Sequence, residues 1–257
     1  MKIISLDTQG AFAKYIAIPE RVCWKNSPEM PPELATIQEP LGNALYALLG
    51  EDADVAGKTL AIIGDGPIAL FACALARAVG LARIFVTGLS PVSLDIAKQV
   101  GADEALLVKP PNGDHVQRIL DETDGWGCDI VLDMTGTQPG IDDCFKVLRK
   151  GGRMSAFGVS SSDRVSLNYN DGIVFKACQI HGINGRKIFD TWYRVSNLLK
   201  SGRVDVYPIL THMLPLAEFA KGFDLAHEEP RRCSKVILFP DEAELIKAKE
   251  RATGLLG

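Results

Sequence analysis

No stretch of the sequence reaches the roughly 18 consecutive apolar residues that a membrane-spanning helix needs, so no membrane partner is expected. No secretory leader is legible either. The opening Met1-Lys2-Ile3-Ile4-Ser5-Leu6-Asp7 is too short and too soon acidic. Histidine is scarce: His115, His181, His212 and His227 are scattered, without H-E-x-x-H or any paired spacing. The six cysteines, Cys23, Cys73, Cys128, Cys144, Cys178 and Cys233, contain no C-x-x-C pair. That argues against a zinc site made of cysteine alone and for buried free thiols in a reducing cytoplasm. No Lys/Arg stripe is present, and 32 acidic against 28 basic residues leave a net charge of -4. That balance argues against a nucleic-acid partner. Ser160-Ser161-Ser162 does not form G-x-S-x-G, so a nucleophile elbow is unsupported. No internal repeat is visible.

What is present is globular. Hydrophobic residues make up 47% and charged residues 23%, which excludes a disordered chain. A length of 257 residues suits one large domain or two modest ones. The 24 glycines and 14 prolines stand at turn positions. From residue 57 the punctuation becomes regular. Apolar runs predict strands over 58–63, 83–87, 105–108, 129–133, 153–158 and 176–183. Helical spacing predicts helices over 68–79, 93–100, 116–121, 140–148 and 188–199. Six strands alternating with helices predict an α/β fold with a doubly wound parallel sheet of the Rossmann kind.

Around this block the pattern is less regular. It predicts a strand over 12–18, stopped by Pro19, and a helical run over 34–49 with Gly42 in its middle. Later come a strand over 210–214, a helix over 216–227 and a strand over 235–239. The stretch 241–251 reads as a charged, solvated helical tail, acidic at its start and basic at its end, as the helix dipole favours.

The first strand–turn–helix carries Gly64-x-Gly66-x-x-Ala69. Gly64 permits the tight turn, Gly66 lets the backbone approach a pyrophosphate, and Ala69 lets the helix lie close to the sheet. Pro67 and Ile68 open the helix, whose first N–H groups and positive dipole end favour phosphates. A dinucleotide coenzyme is therefore expected. The second strand ends at Thr87-Gly88, where an acidic side chain usually accepts hydrogen bonds from the adenosine ribose. Gly88 supplies none, which removes a bar to the 2′-phosphate of NADP. No Arg or Lys follows to hold that phosphate; Thr87, Ser90 and Ser93 are the polar groups nearby. NAD and NADP both stay open. Asp133-Met134-Thr135-Gly136 ends a later strand, where open α/β sheets bind ligands, and is expected to touch the coenzyme.

Gln38-Glu39-Pro40-Leu41-Gly42-Asn43-Ala44, GDGPIAL, LDIAKQVGAD, Lys150-Gly151-Gly152-Arg153, GINGRKIFDTWY and DTQGAFAKYIAIP together resemble the zinc-dependent medium-chain dehydrogenase/reductase family, and within it the threonine dehydrogenase branch. The resemblance covers residues 1 to about 240 and implies a Rossmann domain inserted in a GroES-like catalytic domain, in a homo-oligomer (dimer or tetramer). On that pattern residues 1–40 are part of the GroES-like domain, 41–205 the Rossmann domain, 206–240 the return to the GroES-like domain and 241–257 the tail. Residues 1–25 and 206–240 would supply remaining strands of the GroES-like part. The implied reaction passes hydride between a small secondary alcohol, threonine-like or a polyol, and NAD(P), with zinc polarising the alcohol oxygen.

By match to the family motif, Glu39 is a zinc ligand; its plainer role is that of an acid at a helix start. On the same match Thr135-Gly136, Phe157-Gly158-Val159 and Ile183-Asn184 would line the nicotinamide side, with Asn184 where the family more often has Thr. Ser93 stands where threonine dehydrogenases carry an adenosine-side Arg. The family's remaining zinc ligands match nothing in these 257 residues. The expected activity is therefore impaired, as in a shortened dehydrogenase, and the alternative is a stand-alone dinucleotide-binding protein or an inactive remnant. His181 is expected as a strand histidine, His212 as a local backbone partner and Cys73 as core.

Overall fold

The computed structural model describes residues 4, 7–51, 54–109 and 113–254; expectations touching residues 1–3, 5–6, 52–53, 110–112 and 255–257 lie outside them. Helices α1 (Pro32–Thr36) and α2 (Gln38–Leu49) precede strand β1 (Thr59–Ile63). Then follow α3 (Pro67–Ala78), β2 (Arg83–Gly88), α4 (Pro91–Gln99), β3 (Glu104–Leu107), α5 (His115–Asp121), β4 (Cys128–Asp133), α6 (Gln138–Val147), β5 (Leu148–Ala156), β6 (Gln179–Gly182) and α7 (Asp190–Lys200). The last elements are β7 (His212–Pro215), α8 (Phe219–His227), β8 (Val236–Phe239) and α9 (Glu242–Gly254). The chain divides into two compact units, one spanning 38–209 and one formed by 1–37 with 210–257.

In the larger unit, β1 to β6 form one parallel sheet in the order β3-β2-β1-β4-β5-β6. The order reverses between β1 and β4. That is the doubly wound topology the alternation predicts. The central strands are apolar in their middles because helices cover both faces. Leu60, Ala61 and Ile62 of β1, Ile84 and Phe85 of β2 and Val131 and Leu132 of β4 are all 0% exposed, with no solvent face. Helix α3 is rich in alanine and buried from Ala69 to Ala76. Small side chains let it lie between the sheet and α2, against which it packs.

Gly42 has a clear packing reason. A Cβ there would stand 3.1 Å from Thr191 Oγ1 and 3.4 Å from Trp192 Cδ1, so glycine lets α7 approach α2. The end of α2 is capped from the sheet. The buried Arg153 donates to Leu48 O at 2.6 Å and to Ser155 Oγ at 2.9 Å, and Ser155 Oγ donates to Ala47 O at 2.7 Å. These bonds satisfy last-turn carbonyls that a helix leaves open, and the cation suits the negative end of its dipole.

In the smaller unit, β7 and β8 run parallel, and α8 and α9 pack against them. Helix α9 is not a solvated tail. Leu245 and Ala248, three residues apart on one face, are 6% and 0% exposed. Arg251 makes a two-pronged ion pair with Glu33 of α1, Nε to Oε1 at 2.7 Å and Nη2 to Oε2 at 2.9 Å. Glu33 is fully buried, so the pair fixes one helix on the other. The charge pattern along 241–251 is real, but apart from the inward-turned Arg251 it covers the outward face.

Two further expectations need correction. Residues 12–18 form no strand, and residues 1–25 therefore contribute no named strand among their described members; Ile4 and Thr8 make one isolated bridge. Phe12, Tyr15, Ile16 and Ile18 remain exposed, although Phe12 lies 6.1 Å from the Phe223 ring of α8. A strand needs a ladder partner, and apolar composition alone does not provide one. The predicted helix over 34–49 breaks at Ile37 into α1 and α2. Boundaries also shift at two strands: β5 includes Leu148 and stops at Ala156, its register slipping near Gly151, and β6 is only Gln179–Gly182. The cysteines are free, but Cys23 is exposed and Cys178 half-buried; the other four are buried.

Candidate functional site

The carboxyl ends of β1, β2, β4, β5 and β6 meet along one edge of the larger unit, around the place where strand order reverses. Open α/β sheets bind ligands in such a crevice because the loops diverge there and leave space. Gly64, at φ +122°, makes the turn out of β1. A Cβ on it would stand 3.1 Å from Thr135 Cγ2 and 3.2 Å from Met134 Cβ, so the loop after β1 lies directly on the loop after β4. Its N–H donates to Thr87 O at 3.0 Å, which ties the same loop to the end of β2.

Gly66 is the N-cap of α3. It makes no side-chain cap, and Pro67 follows at the first helical position, where a missing N–H is harmless. The N–H groups of Ile68 and Ala69 fall in the first turn, which has no intrahelical acceptor. A Cβ built on Gly66 would meet nothing within 4 Å. The glycine thus faces open space, directly in front of a helix start. Gly66, Pro67 and Ile68 are each partly exposed there.

The nicotinamide-side candidates are brought together by backbone packing. Asp133, 2% exposed, ends β4. Its Oδ1 accepts from Thr135 N at 2.9 Å, Thr135 Oγ1 at 2.9 Å and Gly136 N at 3.0 Å. Its main-chain oxygen accepts from Gly158 N at 2.9 Å. Gly136 has φ +64°, and a Cβ on Gly158 would stand 2.1 Å from Gly136 N. No side chain fits between these two loops, so Thr135-Gly136 and Gly158-Val159 form one rigid wall. Val159 is 91% exposed on it. Ile183 is 8% exposed and donates its N–H to Ala156 O at 2.9 Å; Asn184 beside it is exposed. Beneath the wall, burial and then the Asp133 and Asp143 charges push the Cys144 thiol well up.

Thr87 and Ser93 differ from the expectation. They are 1% and 2% exposed, and Ser93 N donates to Ser90 Oγ at 3.3 Å in the cap of α4. Their side chains give a coenzyme almost no surface to touch. The sequence reading passes over Asp65, which the structure places at the end of β2. The signal was available: an acid inside the fingerprint and a glycine where an acid usually stands. His181 lies in β6 as expected, and Cys73 is core. His212 Nδ1 meets the Thr211 hydroxyl at 3.0 Å rather than main chain.

Glu39 lies in the first turn of α2. Its Oε1 accepts from Arg186 Nη1 at 2.6 Å and from Asn43 Nδ2 at 3.1 Å. The Arg186 guanidinium also stacks 5.1 Å from the Trp192 ring. A catalytic zinc takes about three protein ligands. Among the described residues no group of three His, Cys, Asp or Glu side chains stands close enough to hold a metal ion. By themselves, then, these residues do not fit a zinc centre.

A depression of about 470 Å³ opens at the amino ends of β1, β2 and β4, away from the crevice. Its cations are neutralised, with Arg83 to Glu122 at 2.7 Å and Arg149 to Asp129 at 2.6 Å. It reads as an ion-pair rim.

A family model described as zinc-binding dehydrogenase matches residues 67–201, more than half of the chain. The chain belongs to the zinc-binding dehydrogenase family. Among its relatives is the L-threonine 3-dehydrogenase of Caldanaerobacter subterraneus subsp. tengcongensis, 41% identical over 239 residues, covering 93% of this chain and 67% of the relative. The alcohol dehydrogenase of Thermus sp. ATN1 superposes with a TM-score of 0.81 at 29% identity, over 90% of this chain and 67% of that one. That of Thermotoga maritima gives 0.75 at 28% identity, over 85% and 60%. This zinc-binding dehydrogenase chain thus spans between 60% and 67% of the length of these relatives.

Proposed function

We propose that the unit over 38–209 binds NAD or NADP, and that the chain serves a dehydrogenase of the alcohol or threonine type. Its reaction would pass hydride between a small secondary alcohol and the nicotinamide. The observation that carries this is Gly66, whose open face stands before the first turn of α3 at the point where the strand order reverses. A pyrophosphate there takes the N–H groups of Ile68 and Ala69 as donors and the helix dipole as a positive charge. The bound coenzyme supplies the hydride acceptor. The wall of Thr135-Gly136, Gly158-Val159 and Ile183-Asn184 then orients the nicotinamide, and Asp133 keeps that wall from moving. Pre-set walls lower the entropy lost when reactants are aligned.

Family membership supports the substrate class. It also supports a GroES-like assignment of 1–40 and 206–240, a homo-oligomer, and a cytoplasmic setting consistent with six unpaired thiols. Zinc belongs to the same reading, with Glu39 as one ligand, although in this chain that carboxylate already holds Arg186.

That last contact favours a second reading, in which the chain binds coenzyme but oxidises no alcohol. One pair of assays separates them. NADH or NADPH fluorescence on titration with the purified chain is expected to saturate in both readings. Zinc-stimulated NAD(P) reduction with threonine or a polyol is expected only in the first. Failure to bind either coenzyme would remove both.

A further inference from the structure

We infer that Asp65 replaces the acidic side chain missing at the end of β2, and so makes this chain selective for NAD(H) over NADP(H). The inference rests on the coenzyme reading above and names a residue for it. The first observation concerns why position 88 is glycine. Gly88 does not lie at positive φ, so its backbone accepts any side chain. The obstacle is spatial: a Cβ at 88 would stand 2.3 Å from Asp65 Cβ, 2.4 Å from Asp65 Oδ2 and 2.5 Å from Asp65 Cγ. Such distances are closed to real atoms. The Asp65 carboxyl group therefore occupies the space that the first atoms of an acidic residue 88 would fill.

The second observation is that Asp65 is held there. Its Oδ2 accepts the Ser90 N–H at 2.7 Å, and Gly64 N donates to Thr87 O at 3.0 Å one residue before it. Asp65 is 8% exposed, so its carboxylate is fixed rather than waving in solvent. An acid at 65 and an acid at 88 are thus alternative ways to put one negative charge at one place, and each excludes the other. A carboxylate at this place accepts hydrogen bonds from the ribose 2′- and 3′-hydroxyls and repels a 2′-phosphate. The absence of an acid at 88, which in the sequence alone leaves NADP open, is compensated from the preceding loop.

The test is the ratio of dissociation constants for NADH and NADPH, measured by fluorescence titration. The wild-type chain is expected to bind NADH about tenfold or more tightly than NADPH, the scale of one charge-assisted hydrogen bond. Asp65→Asn keeps the shape and an acceptor for Ser90, and is expected to bring the ratio close to one. Asp65→Ala combined with Gly88→Asp moves the carboxylate to the other side of the same space and is expected to restore the NADH preference. Gly88→Asp alone is expected to lose binding of both, because two side chains contend for one volume. Equal binding of NADH and NADPH by the wild-type chain would overturn the inference and leave coenzyme binding intact. An unchanged ratio in folded Asp65→Asn would do the same. No binding of either coenzyme by the wild-type chain would overturn the coenzyme reading and this inference with it.

Discussion

The thiols of Cys73, Cys128 and Cys144 lie in the core of the larger unit, where a thiolate would lose its hydration. Burial, the dominant cause in each case, pushes Cys73 and Cys128 up to about 12 and Cys144 well above its ordinary value. They stay protonated at neutral pH and are poor nucleophiles. In the folded chain a thiol-directed alkylating reagent is expected to label Cys23 first and to leave these three untouched until the chain unfolds; mass spectrometry of the labelled peptides reads this directly. Their titration also sets an alkaline limit. Unfolded, a cysteine ionises near 9.0; folded, Cys73 and Cys128 ionise near 12. Between those values the unfolded chain binds fewer protons, so stability is full below about pH 9 and falls as pH rises towards 12. The slope is about 1.4 kcal/mol per pH unit for each such thiol. A denaturation midpoint flat from pH 9 to 11 would contradict this.

Among elements, α2 shows how a helix end is finished by a distant residue. Arg153 reaches Leu48 O from β5, and Gly50 at φ +58° ends the turn. Arg153→Met keeps much of the volume and removes the donors. Leaving those buried acceptors open costs about 1–3 kcal/mol, which is expected as a melting point lower by several degrees with the circular dichroism spectrum unchanged. The same elements show what the sequence could and could not reveal. The centre of the sheet was legible because strands such as β1 and β2 are buried on both faces, so local composition carries the information. The strand expected over 12–18 was not, because a strand also needs a neighbour, and pairing is not a local property. The burial of α9 was missed because Leu245 and Ala248 are few among many charges, and Glu33, the partner of Arg251, lies more than 200 residues away in sequence. At the site, Gly64 and Gly66 follow from spacing. The seat of Asp65 beside Gly88 does not, because only the fold brings a loop after β1 onto the end of β2.

Across the whole molecule, each of the two units has its own point of failure. In the smaller unit it is the pair of Glu33 and Arg251. Arg251→Met would take a two-pronged ion pair from a buried carboxylate, a change that costs about 3–5 kcal/mol. Hydrogen exchange is expected to quicken across β7, β8 and α9, and Glu33→Gln on top of Arg251→Met is expected to recover part of the loss. Unchanged exchange in Arg251→Met would show that the pair holds nothing. In the larger unit the decisive residue is Gly66, because there stability and function part company. Gly66 has φ -70° and no atom within 4 Å of a built Cβ, so alanine fits the folded chain without strain. Removing a glycine at a compatible position stabilises by about 0.4–1 kcal/mol. In the proposed coenzyme site the added methyl nevertheless stands where the pyrophosphate would approach the helix start. The most direct measurement is therefore NADH titration of Gly66→Ala beside the wild-type chain, with both melting curves. Saturable binding by the wild-type chain is expected, with binding weakened about tenfold or more in the variant and a melting point equal or higher. Equal NADH affinity in the two proteins would contradict it, because the crevice before α3 would then not be where the coenzyme lies.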